Sequence, residues 1–201
     1  MSRFVLGLTG GLASGKSTVA GWLADAGFRV VDADRVVADL YAPGGRGAAA
    51  VRQLFGDTAL TAEGAVDRPK VAERVFSDKD ARQRLEEAIH PLVRQRFREI
   101  AESTSGVVVY EATLLVESGH ADAGDATRFD LVLTIEAPQA KRLEWAIARG
   151  MDEASAKARL AAQGDGAGRR QGADRILHND GTLDDLRRKI DALIEELRGR
   201  V

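Results

Sequence analysis

Short apolar runs alternate with helical repeats along most of the chain. The runs are short enough to be buried strands, and they lie at residues 4–9, 28–34, 107–112, 129–137 and 175–179. Apolar residues at helical spacing separate most of them. Strands that alternate with helices are typical of a mainly parallel sheet covered on both faces. The pattern therefore predicts an α/β fold with a five-stranded, mainly parallel sheet and helices on both faces.

The predicted helices of this sheet layer are marked by their end signals. Helical spacing predicts elements at residues 15–26, 138–149 and 152–163, and a short helix that begins at Arg35 and ends at Pro43. A last helix begins with a capping box of Thr182 and Asp185. The glycine- and arginine-rich segment GDGAGRRQG, residues 164–172, is predicted to be a loop.

One stretch lacks strands altogether. Residues 46–104 carry only helical patterns, which Pro91 is predicted to interrupt. This stretch is too long for a simple connection between two parallel strands. We therefore predict one domain over residues 1–201 with an inserted helical lobe at about residues 42–104.

The amino-acid composition limits which binding partners and which chemistry the protein can have. The 31 acidic residues nearly balance the 29 basic ones in the 201-residue chain, which argues against a nucleic-acid-binding protein. The absence of cysteine excludes disulfides, thiolate metal sites and cysteine nucleophiles. No apolar segment approaches the length of a membrane span. A cytoplasmic protein without nucleic-acid or membrane partners is predicted, and its oligomeric state is left open.

The strongest chemical signal follows the first predicted strand. Residues 10–17 read GGLASGKS and match G-x-x-x-x-G-K-[ST], between a predicted strand and a predicted helix. Such a loop turns its backbone N–H groups towards phosphate oxygens, while Lys16 reaches the β- and γ-phosphates and the Ser17 hydroxyl binds Mg²⁺. A plain glycine turn would not explain Lys16 and Ser17 at these positions. The predicted nucleotide-binding residues are Gly11, Leu12, Ala13, Ser14, Gly15, Lys16, Ser17 and Thr18.

The loop alone does not identify the phosphate acceptor. An N/T-K-x-D guanine motif is absent, and the single D-x-x-G match, at residues 165–168, follows no apolar strand. A switch GTPase is therefore disfavoured. A small-molecule kinase fits the chain length best, because it needs only the loop, an acceptor lobe and a lid that excludes water.

Three carboxylates follow predicted strands. Asp32 and Asp34 are spaced i and i+2, so a continuing strand would place both on the same side of the sheet edge. Metal binding, general base, helix cap and solvent exposure all remain open, and the cap alternative places Asp34 before a helix at Arg35. Glu111 ends a strand where an acid could reach Mg²⁺ through water.

Several cations and turns are weaker candidates. Arg142 and Arg149 are about two helical turns apart and could neutralise the transferring phosphoryl group, or they could lie on an exposed face. Arg169 and Arg170 are similar candidates. His90 precedes Pro91, which favours a helix kink over a contact with the acceptor.

The order of several motifs adds a family resemblance. GLTGGLASGKSTVA, VVDADRVV, DR at 67–68, VF at 75–76, HPLV at 90–93, LLVESG at 114–119 and ADRILHNDG at 173–181 cover essentially the whole chain. In this order they resemble the dephospho-coenzyme A kinases. The resemblance implies a three-layer P-loop kinase fold with an acceptor-binding lobe and a lid at about residues 138–172. It also implies transfer of the γ-phosphoryl of ATP to the 3′-hydroxyl of dephospho-CoA, the last step of coenzyme A synthesis, with Mg²⁺.

The resemblance also implies roles for single residues. Asp34 would lie near the acceptor hydroxyl and Asn179 would border the adenine, although a plain turn also explains Asn179. The implied acceptor-binding residues are Asp34, His90, Asp67 and Arg68, of which Asp67 could simply cap a helix. The predicted metal site combines Ser17, Asp32 and Glu111.

Two positions depart from the family pattern. Ala13 stands where glycine is common, and Thr113 stands where many members have proline.

Two other functions remain open. A kinase for a nucleoside or sugar is one alternative function. A nucleotide-gated regulatory protein is the other.

Overall fold

The computed structural model describes residues 3–113, 115 and 129–201. The strands of this part of the chain are β1 (Arg3–Gly10), β2 (Arg29–Asp32), β3 (Gly106–Glu111), β4 (Leu131–Glu136) and β5 (Arg175–His178). Their order in the sheet is β2-β3-β1-β4-β5. β1 pairs in parallel with β3 and β4, and β4 pairs in parallel with β5. The predicted five-stranded sheet is confirmed.

The α-helices of the described residues are α1 (Lys16–Asp25), α2 (Ala33–Leu40), α3 (Arg46–Phe55), α4 (Arg68–Ser77), α5 (Lys79–Glu102), α6 (Gln139–Ala148), α7 (Glu153–Ala162), α8 (Ala167–Gln171) and α9 (Leu183–Arg198). The capping box that begins α9 is present, with Thr182 and Asp185 bonded to each other's backbone. None of the described helices combines the length and the apolar character that a membrane span requires.

The chain divides into two compact units, residues 1–31 with 101–201, and residues 32–100. The first unit contains the sheet, apart from the last residue of β2. Its core packs apolar side chains of the sheet against α1 and α9. β1 lies at the centre of the sheet and is buried from Val5 to Gly10, so the loop that follows β1 begins from its most enclosed strand.

The second unit contains α2, α3, α4 and most of α5. It also contains an isolated antiparallel bridge between Leu60 and Val66. The predicted interruption at Pro91 is wrong, because α5 runs through it. Proline removes one hydrogen-bond donor. Ile89, Val93 and Phe97 are nevertheless buried at helical spacing across this point, and their burial stabilises the helix.

The predicted strand through Asp34 is also wrong. β2 ends at Asp32, and α2 begins at Ala33. Asp32 Oδ1 accepts hydrogen bonds from the backbone N–H groups of Asp34 (2.8 Å) and Arg35 (3.3 Å). Asp32 is therefore the helix cap, and Asp34 does not cap a helix at Arg35. Asp34 lies in the first turn of α2 and is exposed.

Two further segments differ from the prediction or fall outside the description. GDGAGRRQG is not entirely a loop, because it contains α8, which begins after the left-handed Gly166. Of the LLVESG segment, only Leu115 is described, and it is fully buried. Before this segment, the carbonyl oxygen of Thr113 accepts a hydrogen bond from the Thr9 hydroxyl (3.1 Å).

Candidate functional site

The glycine-rich loop joins β1 to α1, as the motif predicted. Ser14 N–H donates to the Gly11 carbonyl at 3.1 Å, which curls the chain before α1. Gly15 has a φ of 99°, and a Cβ there would lie 2.6 Å from Asn179 Nδ2, so both conformation and space require glycine. Ala13 also has a positive φ, 55°, alone among the described non-glycine residues.

Lys16 and Ser17 converge on one carboxylate. Lys16 Nζ lies 2.6 Å from Glu111 Oε1, and the Ser17 hydroxyl donates to the same oxygen at 3.2 Å. The register of the sheet makes this contact, because Leu8 of β1 pairs with Glu111 at the carboxyl end of β3. The structure therefore brings together these three residues that the sequence singled out.

The same oxygen atoms suit a hard cation. A hydroxyl and a carboxylate are ligands that Mg²⁺ accepts, usually together with phosphate oxygens and water. Among residues 3–113, 115 and 129–201, no three His, Asp or Glu side chains form a metal-binding group. Ser17 and Glu111 are the residues at this point that could hold a metal ion.

A buried arginine holds the loop from the other side. Arg142 of α6 is only 4% exposed, and its Nε donates to the Leu12 carbonyl at 2.8 Å. Its Nη2 donates to Gln163 Oε1 at 2.7 Å, and that oxygen also accepts the Leu12 N–H at 2.8 Å. We call Arg142 and Gln163 the Leu12 clamp. The exposed-face alternative is wrong for Arg142.

The surroundings of Arg142 shift the pKa of its guanidinium downwards. Burial lowers the pKa of its guanidinium, the nearby Arg169 lowers it further, and Glu136 opposes both. Gln163, the other half of the clamp, was missed by the sequence prediction. It lies at the end of α7 with no motif around it, so only the folded arrangement identifies it.

Arg149 has a different position from Arg142. It follows the last residue of α6 and is exposed. It lines a cleft of about 390 Å³ together with Gly15, Thr18, Trp145, Ala148, Asn179, Gly181, Leu183 and Leu186. The two arginines therefore do not act on the same point: Arg142 contacts the loop, and Arg149 borders the cleft beside it.

Asn179 is more than a turn residue. It follows β5 and is buried, and its N–H donates to the Glu136 carbonyl at 2.7 Å. Its Nδ2 donates to the Ser14 carbonyl at 2.9 Å, so the side chain fixes the loop from the β5 side. It also lines the cleft, and its predicted contact with the adenine would be made there.

A buried ion pair lies at the carboxyl end of β4. Arg169 of α8 is 1% exposed, and its Nε lies 2.6 Å from Glu136 Oε1. The Thr134 hydroxyl donates to the same carboxylate at 3.1 Å. Arg170 is half-exposed and more distant, at 3.8 Å from Glu136 Oε2. Glu136 was not predicted from the sequence, and it accounts for the burial of Arg169.

The predicted acceptor-binding residues Asp34, Asp67, Arg68 and His90 all belong to the second unit. Asp67 caps α4 by accepting the Lys70 N–H at 3.3 Å, which confirms its structural alternative. Hydrogen bonds from Lys70 lower the pKa of its carboxyl group. Arg68 lies 5.6 Å from the centre of the Tyr41 ring. Burial lowers the pKa of the half-buried His90, as does Arg94, against the opposing charge of Glu86.

A phosphate loop at the end of the central strand of a five-stranded parallel sheet defines a P-loop kinase fold. The family model for dephospho-CoA kinase matches residues 4–185. The dephospho-CoA kinase of Frankia casuarinae is 42% identical over 199 residues, covering 98% of this chain and 85% of that protein. The chain belongs to the dephospho-CoA kinase family.

Two more proteins show the same relationship. The dephospho-CoA kinase of Thermobifida fusca is 39% identical over 199 residues and covers 98% of this chain and 97% of that protein. The solved structure of dephospho-CoA kinase from Campylobacter jejuni superposes with a TM-score of 0.73 at 26% identity, and the match covers 100% of both chains.

Proposed function

We propose that the protein transfers the γ-phosphoryl group of ATP to the 3′-hydroxyl of dephospho-CoA, the last step of coenzyme A synthesis. The observation that carries the proposal is the meeting of Lys16, Ser17 and Glu111 at the carboxyl edge of the sheet, in a chain of this family. No observation favours a nucleoside or sugar acceptor, or a regulatory role. A cytoplasmic location belongs to the same proposal.

The loop would bind the phosphates of ATP. Its backbone N–H groups and the N-terminus of α1 favour anions. The Lys16 ammonium would exchange its Glu111 partner for β- and γ-phosphate oxygens, leaving the carboxylate free to order water around the metal ion. Phosphoryl transfer has a loose transition state with charge spread over three oxygens, so positioned cations are the main catalytic contribution.

Magnesium would be held by Ser17 directly and by Glu111 through water. Bound there, the ion would neutralise phosphate charge and orient the β- and γ-oxygens. Asp32 is a weaker ligand candidate, since its Oδ1 already accepts two backbone hydrogen bonds as the cap of α2.

The nucleotide base would occupy the cleft of about 390 Å³ next to the loop. Trp145 and Leu186 line it and offer apolar area to a base, while Asn179 offers an amide. Arg149 would lie at its border, where a guanidinium can reach phosphate oxygens. Arg142 would contribute positive charge behind Leu12, close to the phosphates.

The acceptor would be oriented by Asp34, with Asp67, Arg68 and His90 as further contacts of the helical lobe. Asp34 is exposed and its carboxylate is not needed to cap α2, because Asp32 fills that role. In a loose transition state, orientation of the hydroxyl matters more than early removal of its proton, and an exposed carboxylate can orient it by accepting a hydrogen bond.

A coupled assay of ADP release tests the proposal. ATP and Mg²⁺ are supplied with dephospho-CoA, a panel of nucleosides, shikimate or gluconate, and mass spectrometry with digestion locates the new phosphate. Turnover should rise at least tenfold above background only with dephospho-CoA, with the product phosphorylated at the 3′-oxygen. An equal or better response to another acceptor, or none to dephospho-CoA, would contradict the assignment.

A further inference from the structure

The phosphate loop contains one residue in an unfavourable backbone conformation. Ala13 has a φ of 55°, in the left-handed region where a Cβ crowds the following carbonyl. Glycine adopts this conformation freely, whereas alanine does not. The backbone preference of Ala13 therefore does not favour the conformation of this loop. Contacts from outside the loop must stabilise that conformation.

The residue before Ala13 is held at both of its polar backbone groups. The Leu12 N–H donates to Gln163 Oε1 at 2.8 Å, and the Leu12 carbonyl accepts from Arg142 Nε at 2.8 Å. A single oxygen atom, Gln163 Oε1, accepts from both the Leu12 N–H and Arg142 Nη2. Gln163 thus connects the end of α7 with the loop and with α6.

We propose that Gln163 is a positioning residue: its amide oxygen holds Leu12 and Ala13 in the conformation that binds nucleotide and fixes the Arg142 guanidinium beside them. The inference deepens the proposed function and rests on ATP as the phosphoryl donor. Gln163 does not need to touch the substrate. It lowers the conformational freedom of the loop before ATP arrives, and a preformed site binds more tightly.

The dependence of the loop on Gln163 follows from the identity of Ala13. Without the amide oxygen, the Leu12 N–H loses its partner and Ala13 can relax to right-handed conformations, so binding must first reorder the loop. A glycine at position 13 would adopt the left-handed conformation without this support. The effects of the two residues on nucleotide binding should therefore depend on each other.

Four proteins test this dependence: the wild type, Gln163→Met, Ala13→Gly and the double variant. Methionine preserves side-chain length and removes the acceptor oxygen. We expect Gln163→Met to raise the Kd for ADP about tenfold with Ala13 present, but only about threefold or less in the Ala13→Gly background. Calorimetric titration with ADP measures Kd, and steady-state kinetics should show the same difference in KM for ATP.

Gln171→Met is the matched control, because it is the same substitution at an exposed glutamine of α8. Its Kd for ADP should equal that of the wild type. Should Gln163→Met fail to fold, Gln163→Asn withdraws the amide by one methylene and permits the same comparison. An equal change in Kd in both backgrounds, or no change in either, overturns the proposal.

The two proposals fail in different ways. Absence of turnover with dephospho-CoA in the wild type removes the proposed acceptor, while the ADP titrations still decide the role of Gln163. Conversely, normal dephospho-CoA-dependent turnover with additive effects of the two substitutions removes the positioning role and leaves the activity intact.

Discussion

Lys16 and Glu111 form an ion pair of 2.6 Å that is largely shielded from water, with side-chain exposures of 12% and 10%. The pair joins the start of α1 to the end of β3. In the proposed function the ammonium would exchange this carboxylate for phosphate oxygens when nucleotide binds. Glu111 thus holds the Lys16 ammonium and compensates its charge at the same time.

The first prediction concerns this carboxylate. If Glu111 supports the metal ion as proposed, Glu111→Gln should lower kcat about 10–100-fold, because the ion would lose a charged partner in its surroundings. It should also lower the free energy of unfolding by about 1–3 kcal/mol, since Lys16 loses its charged partner. Mg²⁺ titrations of turnover and thermal unfolding measure the two effects. Unchanged Mg²⁺ dependence would remove Glu111 from the metal site.

The second prediction concerns Gly11, the loop residue against which the Leu12 clamp packs. A Cβ on Gly11 would lie 3.0 Å from Gln163 Oε1 and nearer still to the Arg142 guanidinium, so Gly11→Ala must displace the Leu12 clamp. We expect KM for ATP to rise about 100-fold, in line with the effect of small displacements at reacting groups. Initial rates over a range of ATP concentrations measure it.

Gly21→Ala is the control for this substitution. Gly21 is exposed within α1, and a Cβ there meets nothing within 4 Å. It should leave KM unchanged and stabilise the protein by about 0.5–1 kcal/mol, because alanine favours helix more than glycine does. A comparable rise in KM in both variants would contradict the proposed steric cause.

The third prediction separates the two aspartates. If Asp34 orients the acceptor as proposed, Asp34→Asn should lower kcat by about 10²–10⁴-fold with little change in KM for ATP, because the neutral amide accepts a hydrogen bond more weakly and cannot take the proton of the hydroxyl. Asp32→Ala should instead lower the free energy of unfolding by about 1 kcal/mol through loss of the α2 cap. Steady-state kinetics and denaturant unfolding of both variants distinguish the effect on turnover from the effect on stability. Normal turnover of Asp34→Asn would exclude a chemical role.

The fourth prediction is a pH dependence of stability. Burial lowers the pKa of His90 in the folded protein. As pH falls below the ordinary histidine value of about 6.5, the unfolded chain binds a proton that the folded chain resists, so stability falls. His90→Gln should show a smaller loss between pH 7.5 and 5.5, measured by denaturant unfolding. Equal slopes in both proteins would show that other groups set the dependence.

The sheet and the phosphate loop were predictable because their signals are local. The apolar runs identified all five strands, and the spacing of Gly10, Gly15, Lys16 and Ser17 identified the loop between β1 and α1. Glu111 was predictable as a candidate as well, because it ends a predicted strand, although only the structure shows that this strand pairs with β1. These features depend on residue order and on the regular geometry of parallel strands.

The remainder of the site depends on contacts between distant residues. Gln163 and Glu136 carry no sequence motif, yet they bind Leu12 and Arg169 through the fold. The start of α2 was misplaced because Asp32 and Asp34 are equally good caps by type, and only backbone geometry selects Asp32. The break at Pro91 was wrong because burial on one face of α5 outweighs a single missing donor.

The parallel pairing of Leu8 with Glu111 joins the loop that carries Lys16 to a residue far along the chain. Glu111 follows Lys16 by 95 residues, so a nascent chain that has formed β1, the loop and α1 still lacks the carboxylate that compensates Lys16. A shift of β3 by one residue would turn this side chain to the opposite face of the sheet. The Lys16–Glu111 ion pair therefore forms only once β3 has joined β1 in the native register.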